Sequence, residues 1–430
     1  VVFASVVLLF TNVLIAWIAL AALLTDFYGG KQMEPNGSSG RRRLLKSIAA
    51  AALTAGAAAF TNIDVLVAYA GENRPDRFGR LFPHLPPFAE VSDSVVQALL
   101  EMGRPGGMMD AKDALERGPA DLILDPALSA NNPNNPTHTA GTTFFGQFMD
   151  HDMTFDAGSP LGVPADPNRS RNSRVPVFDL DSVYGKGPIA SLQLYDPRDR
   201  VKLRIESGGL FEDVPRNSDN TAIIADPRND ENMVISGLQA AFIKFHNRAV
   251  DHIRSHANVH TAFGHEYVFE QARRLTTWHY QWMIVHEFLP LFIGQATVKD
   301  ILENGRRFYR PDEGEGFIPV EFSGAAYRFG HSMARPSYRA NLHGDDGQPF
   351  FAFLFAPDQA GLPDPGDLSG GKRAPRRFIG WQTFFDFGDG EVKPNKRIDT
   401  ALSTPLFNLP LGTIAAFTLG SPTSLAQRNL

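Results

Sequence analysis

The stretch Thr142–Asp156, TTFFGQFMDHDMTFD, constrains this chain more than any other part of it. Wound as a helix, Gln147, Asp150 and His151 occupy positions i, i+3 and i+4 and share one face. Asp152 projects about 100° away from His151, toward different surroundings. An amide, a carboxylate and an imidazole rising together from an otherwise apolar helix are costly to bury unless they share a partner. By themselves these residues leave three readings open: a satisfied core histidine, a divalent-metal site, or a catalytic base.

The rest of the chain supplies the setting. From Gly71 onward, helical patterns alternate with long loops rich in Pro, Gly and Asn, and few stretches alternate with period two. The expected fold class is therefore mainly α, a large helical domain over 71–430 with long loops and little β. Asn131–His138 (NNPNNPTH) reads as turn chemistry. Helices are predicted over Thr142–Phe155, Asn232–His252 and Phe269–Leu289, and Pro319–Met333 leads into another after a short extended piece. No internal repeat is visible. The sequence stops at Leu430 without a closing polar tail, so truncation of the domain at its C-terminus is the expectation.

The first seventy residues read differently. Val1–Leu24 is uncharged and long enough to span a bilayer. Then come Met33, the basic run Arg41–Lys46 (RRRLLK), an uncharged alanine-rich run from Ser47 to Ile63, and Ala68-Tyr69-Ala70. That order is the order of an export signal, and the paired arginines before two leucines give it a twin-arginine character. The preferred reading takes residues 33–70 as the signal and 1–32 as upstream over-extension of the reading frame. The competing reading is a membrane anchor at Val1–Leu24. Export places the domain in a periplasmic or extracellular setting, with membrane contact only through the N-terminal segment.

Composition removes several functions. The 430-residue chain has a net charge of −6 with scattered basic residues, so a nucleic-acid partner has no electrostatic support. It has no cysteine, which excludes disulfides, thiolate metal sites, a cysteine nucleophile and thioether attachment of a c-type haem. Its 33 Phe against 9 Tyr suggest a large dry aromatic core, which suits a buried planar cofactor and ordinary packing alike.

Four further segments follow the first in order. They are RVPVFDLDSVYG (Arg174–Gly185), DPRNDEN (Asp226–Asn232) leading into L-x-x-x-F-x-x-x-H-N-R (Leu238–Arg248), EQARRLTTWHYQWMIVHEFLPLFIG (Glu270–Gly294) and AAYRFGHSM (Ala325–Met333). Together with G-Q-F-M-D-H-D (Gly146–Asp152), the series resembles the animal-type haem peroxidases of the peroxidase–cyclooxygenase superfamily. The resemblance runs from about Asn131 to Arg428.

The resemblance implies a helical haem-peroxidase domain with haem between a distal and a proximal helix. It implies His151 as the distal acid–base residue, Gln147 hydrogen-bonding ligands above the iron, and Arg228 stabilising charge on the departing oxygen. His331 becomes the axial iron ligand, with Arg328 on the same face toward a haem propionate. Asp150 and Glu231 become carboxylates esterified to a haem b-derived cofactor. Asn232 stands where one family branch has a methionine, so no sulfonium link is expected. Calcium is implied at Asp152, Asp179 and Asp181 with the carbonyls of Val175 and Val177. Val175 replaces the family's usual threonine and Asp181 its serine. Asn408 is the candidate acceptor behind His331.

The implied activity is reduction of hydrogen peroxide with oxidation of a small electron donor or a halide. Two alternatives are weighed against it. A fatty-acid dioxygenase of the same superfamily needs a tyrosine three residues before the proximal histidine; Arg328 stands there, with Tyr327 one position off. A non-catalytic calcium-binding or adhesion module would retain Gln147, His151, Arg228 and His331 without use.

Overall fold

Apolar residues at helical spacing and an unusual density of phenylalanine set the architecture. The computed structural model describes residues 78–409, apart from 87–88, 157–169, 208–210, 257–261, 310, 312–315 and 372–374. The expected leader segments, 1–32 and 33–70, and the segment after 409 lie outside the described residues. All described residues belong to one unit, Asn73–Leu430.

The helices are α1 (Asp93–Met102), α2 (Gly118–Leu124), α3 (Ala140–Met153), α4 (Asp181–Tyr184), α5 (Gly187–Ala190), α6 (Met233–His256), α7 (Ala262–Met283), α8 (Leu289–Ile293) and α9 (Gln295–Asn304). Short strands pair two by two. β1 (Phe78–Gly79) runs parallel to β5 (Ile318–Pro319), while β2 (Asn134–Thr139) with β8 (Pro394–Lys396), β3 (Glu206–Ser207) with β4 (Glu212–Asp213), and β6 (Ser337–Asn341) with β7 (Phe350–Phe353) are antiparallel. The fold is mainly α with little β, as the periodicity predicts.

Packing is aromatic where α3, α6 and α7 meet. Phe148 of α3 stacks on Phe242 of α6 with ring centroids 5.1 Å apart. Tyr280 of α7 lies edge-on to Phe145, Phe148 and Phe242 at 6.0, 6.3 and 5.5 Å. Offset and edge-on pairs of this kind add to the area they bury. Phe148 has no exposed surface, so truncating it to alanine costs about 3–5 kcal/mol.

The H-N-R end of the α6 pattern has a structural purpose. His246 Nε2 lies 2.9 Å from the Val201 carbonyl, which can only accept, so this nitrogen donates and Nδ1 accepts from the Tyr184 hydroxyl at 3.0 Å. Asn247 holds both backbone groups of Leu203 at 2.8 Å. The pair therefore fastens the 201–203 segment to the helix.

Three local expectations need correction. Within Asn131–His138, the segment from Asn134 on is a strand paired with β8, and it bulges where Asn135 Oδ1 accepts the N–H groups of Thr137 and His138. The Phe269–Leu289 helix does not run through: α7 gives way to a wide π turn, Ile284–Phe288, before α8. Pro290 has no N–H, and its ring opposes the carbonyl four residues back, so the ladder widens there. Pro319–Met333 is not α-helical; a π turn at Glu321–Ala325 precedes a 3-10 helix at Ala326–Met333. Gly324 and Gly330 are poor helix formers, and residues three apart on a 3-10 helix eclipse. Arg328 and His331 thus still share a side.

Burial lowers the His246 imidazole to about 4. A histidine depressed in the folded state stabilises above its unfolded value near 6.5 and loses that contribution as pH falls toward 4. Urea unfolding between pH 7 and 4 should show falling stability, with a shallower slope in His246→Gln; an identical slope would contradict this assignment.

Candidate active site

Helix α3 delivers three polar side chains to one buried place. His151 is 3 % exposed. Its Nδ1 lies 2.8 Å from Asn229 Oδ1, and its Nε2 lies 4.0 Å from Glu231 Oε2. Gln147 donates to the same Glu231 oxygen at 3.0 Å and accepts from Asn232 at 3.3 Å. Asp150 Oδ1 accepts from the Thr154 hydroxyl at 3.0 Å. Burial, then the charge of Arg228, lowers the His151 imidazole to about 4, so the ring is neutral at neutral pH. Burial raises the Glu231 carboxyl to about 8, with the charges of Asp226 and Asp150 adding to the rise.

The segment facing α3 is held by one carboxylate. Asp226 caps the 3-10 turn Pro227–Asp230, a position that Asp before Pro favours. It has no exposed surface, pairs with Arg174 at 2.5 Å, and holds Arg228 Nε and Nη2 at 3.0 and 2.8 Å. Burial pushes this carboxyl upward, but the hydrogen bonds and charge of Arg228 override that and hold it well below the usual carboxylate range. Arg228 Nη2 also donates to the carbonyls of His151 and Thr154 at 3.1 and 2.5 Å. The guanidinium lies over the Phe155 ring at 4.6 Å. Arg228 is thus bound to the C-terminal end of α3, and Nη1 makes none of these contacts.

His331 lies in the Ala326–Met333 3-10 helix, which packs against α3. The Tyr327 hydroxyl donates to the Gly146 carbonyl at 2.9 Å, and Thr143 donates to the Met333 carbonyl at 3.4 Å, so α3 is tied to the His331 segment along its length. Burial, then the Arg328 charge, lowers His331 to about 4, while Asp150 acts in the opposite sense. Asp150 acts likewise on His151. The charge of one carboxylate thus favours protonation of both imidazoles, although 180 residues separate them in sequence (331 − 151). Two features show room, one beside His331 and one beside His151. A Cβ added at Gly330 would meet no atom within 4 Å. Glu231 keeps 25 % of its side-chain surface accessible despite its deep position. Two neutral imidazoles, two carboxyls and adjoining open space fit haem.

A second cluster lies on the other side of α3. One ligand atom from each of Asp152, Asp179 and Asp181 falls within 4.8 Å of the others. Asp152 is fully buried and accepts from Leu180 N–H at 3.1 Å and the Ser182 hydroxyl at 3.0 Å. Burial and then Asp179 raise Asp152 to about 7. Burial raises Asp181 to about 8 against the opposing charge of Arg174, 3.3 Å away. The Tyr280 hydroxyl, buried without a hydrogen-bond partner, adjoins Asp152.

The structure thus gathers Gln147, Asp150, His151, Arg228 and Glu231, and separately Asp152, Asp179 and Asp181. Arg328 is anchored by its Nε to the Ser323 carbonyl at 2.8 Å. Val175 turns its N–H toward Asp181, and its carbonyl accepts from Val177 N–H at 2.7 Å. The Val177 side chain is exposed. Asn408 is exposed at the end of a 3-10 turn, with its backbone N–H on Pro405 O, and does not back His331. Sequence reasoning missed Asp226 and Asn229. The Asp-Pro cap was a usable signal for the first; nothing local marked the second.

Residues 157–349 match the family model described as animal haem peroxidase. Over that stretch the chain is similar to an animal haem peroxidase domain. The match takes in Arg228, Glu231 and His331, while α3 precedes it. Dual oxidase of Drosophila melanogaster is 32 % identical over 126 residues, 29 % of this chain and 7 % of that protein. Heme peroxidase 2 of Caenorhabditis elegans is 28 % identical over 114 residues, 26 % of this chain and 16 % of that protein. The chain thus matches only a small part of these curated relatives. The solved structure of peroxidase A from Dictyostelium discoideum covers 83 % of this chain and 70 % of its own, at 16 % identity and a TM-score of 0.48.

Among the described residues, Asp226 is the one carboxylate paired with Arg228 and the nearer of the two paired with Arg174. Asp226→Asn should cost about 3–5 kcal/mol in urea unfolding, because it strands buried charge. A loss under about 1 kcal/mol, the range of exposed pairs, would contradict the clamp.

Proposed function

We propose that this protein is a haem peroxidase that reduces hydrogen peroxide and oxidises a small electron donor or a halide. The observation that carries the reading is buried His151 grouped with Gln147, Arg228 and Glu231 on a helix hydrogen-bonded to the His331 segment, with open space at Gly330. His331 would hold the iron, and Asp150 and Glu231 are the carboxyls able to form ester links to the macrocycle. Arg328, beside His331, would meet a propionate. When bound, haem supplies the two-electron reduction of peroxide and the oxidising equivalents passed to the donor.

The side chains then have defined tasks. Neutral His151 takes the proton that peroxide must lose and returns it to the outer oxygen, which leaves as water. Arg228, fixed by Asp226, places positive charge beside that oxygen without reorganising. Gln147, already bridging Glu231 and Asn232, orients what lies over the iron. The alternative dioxygenase reading lacks its tyrosine: Arg328 occupies that position, and the Tyr327 hydroxyl is committed to Gly146.

Calcium at Asp152, Asp179 and Asp181 would offset three close carboxylates and brace the far side of α3. Export through the twin-arginine-like segment at 33–70 completes the proposal.

Purified protein should show a Soret band and a pyridine haemochrome spectrum, with iodide or guaiacol oxidised on adding peroxide. His151→Ala should keep the band while the peroxide reaction slows by about 10²–10⁴-fold; an unchanged rate overturns the assignment. After peroxide treatment, haem should resist acid–organic extraction, and Asp150→Val with Glu231→Gln should release it. Extractable haem in the treated parent protein excludes the esters. Chelator should lower the melting temperature and calcium restore it, with no calcium response in Asp152→Ala; a parent protein indifferent to both excludes the cation.

A further inference from the structure

The amide that meets His151 belongs to a residue to which no motif gives a role. Asn229 has no exposed surface and Gln239, on α6, is 1 % exposed. Asn229 Oδ1 stands 2.8 Å from His151 Nδ1, and Asn229 Nδ2 donates to Gln239 Oε1 at 2.8 Å. An amide has one accepting end and one donating end. With its donor committed to Gln239, Asn229 offers His151 only an acceptor. His151 must then carry its proton on Nδ1, which leaves the Nε2 lone pair on the side of Glu231 and Gln147.

We infer that Asn229, oriented by Gln239, is a positioning residue that fixes His151 in the Nδ1–H tautomer and so keeps Nε2 available as a base. The inference rests on the peroxidase reading and deepens it. A reversed amide would place N–H against Nδ1 and drive the ring proton to Nε2, where it blocks proton uptake. Neither orientation changes the net charge or the packing volume. The effect is therefore chemical and separable from stability.

The test uses two ligands of the haem-loaded protein. Hydrogen cyanide arrives protonated and binds ferric iron as cyanide, so its proton must pass to Nε2 and give an imidazolium. Carbon monoxide binds ferrous iron with no proton to lose. Asn229→Leu removes the acceptor and should slow hydrogen cyanide binding by about 10²-fold or more, leaving the carbon monoxide rate unchanged. Asn229→Asp keeps an acceptor and should retain fast cyanide binding. In the parent protein, 15N-histidine spectra of the diamagnetic carbon monoxide complex should show the His151 proton on Nδ1, identified by its absence in His151→Gln.

A proton on Nε2 overturns the inference, as does Asn229→Leu binding hydrogen cyanide at the parent rate. Equal slowing of both ligands means a merely structural role and also overturns it. If Asn229→Leu fails to fold, Asn229→Asp and the parent spectrum decide. Parent protein with no Soret band overturns the peroxidase reading itself, an outcome distinct from all of these.

Discussion

A carboxylate without access to water is tolerable only where positive charge surrounds it, and Asp226 is held in that way. Its two guanidinium partners connect parts of the chain far apart in sequence. Arg174 reaches on to Asp181 of the acidic cluster, and Arg228 reaches back to the carbonyls of His151 and Thr154. The end of α3, the acidic loop and the Pro227–Asp230 turn are therefore fastened through one atom group. Asn229 and Glu231 follow within five residues of that clamp, so their positions relative to His151 inherit its rigidity. A site that must hold geometry to a fraction of an ångström needs such support behind the reacting groups.

The chemistry is set by what surrounds α3. Its aromatic side, Phe145 and Phe148 against Tyr280 and Phe242, packs the helix into the core, and burial with the Arg228 charge keeps His151 neutral. A neutral imidazole can accept a proton that an imidazolium cannot. Its polar side carries Gln147, Asp150 and His151 in adjacent turns, and the opposite side places Asp152 among acidic neighbours. One helix thereby separates a proton-handling surface from a cation-seeking one, with the i, i+4 spacing as the divider.

Much of this was legible before any coordinates. The polar trio on an apolar helix, the order of the segments and the mainly helical class all follow from spacing and composition. Gln147, Asp150, His151, Arg228 and Glu231 come from two segments about 80 residues apart in sequence (228 − 147), and it is the packing of α3 on the Pro227–Asp230 turn that brings them together. What was not legible has physical reasons. Pairing of β2 with β8 depends on a partner some 260 residues away (394 − 134), which local turn chemistry in NNPNNPTH cannot report. The 3-10 course of Ala326–Met333 arises where glycines weaken α-helix preference and packing decides. Asn408 sits in the right sort of motif, but the turn that ends at Phe407 points it to solvent. Asn229 is invisible in sequence, because its role exists only where α3 and α6 meet.

The central claim is that His331 ligates an iron over which His151 stands. Resonance Raman spectroscopy of the reduced, haem-loaded protein reads the iron–histidine bond directly. The account predicts an iron–imidazole stretching band in the parent protein, its loss in His331→Gly, its return on adding free imidazole, and no loss in His151→Gly. A band that survives in His331→Gly without added imidazole would contradict it.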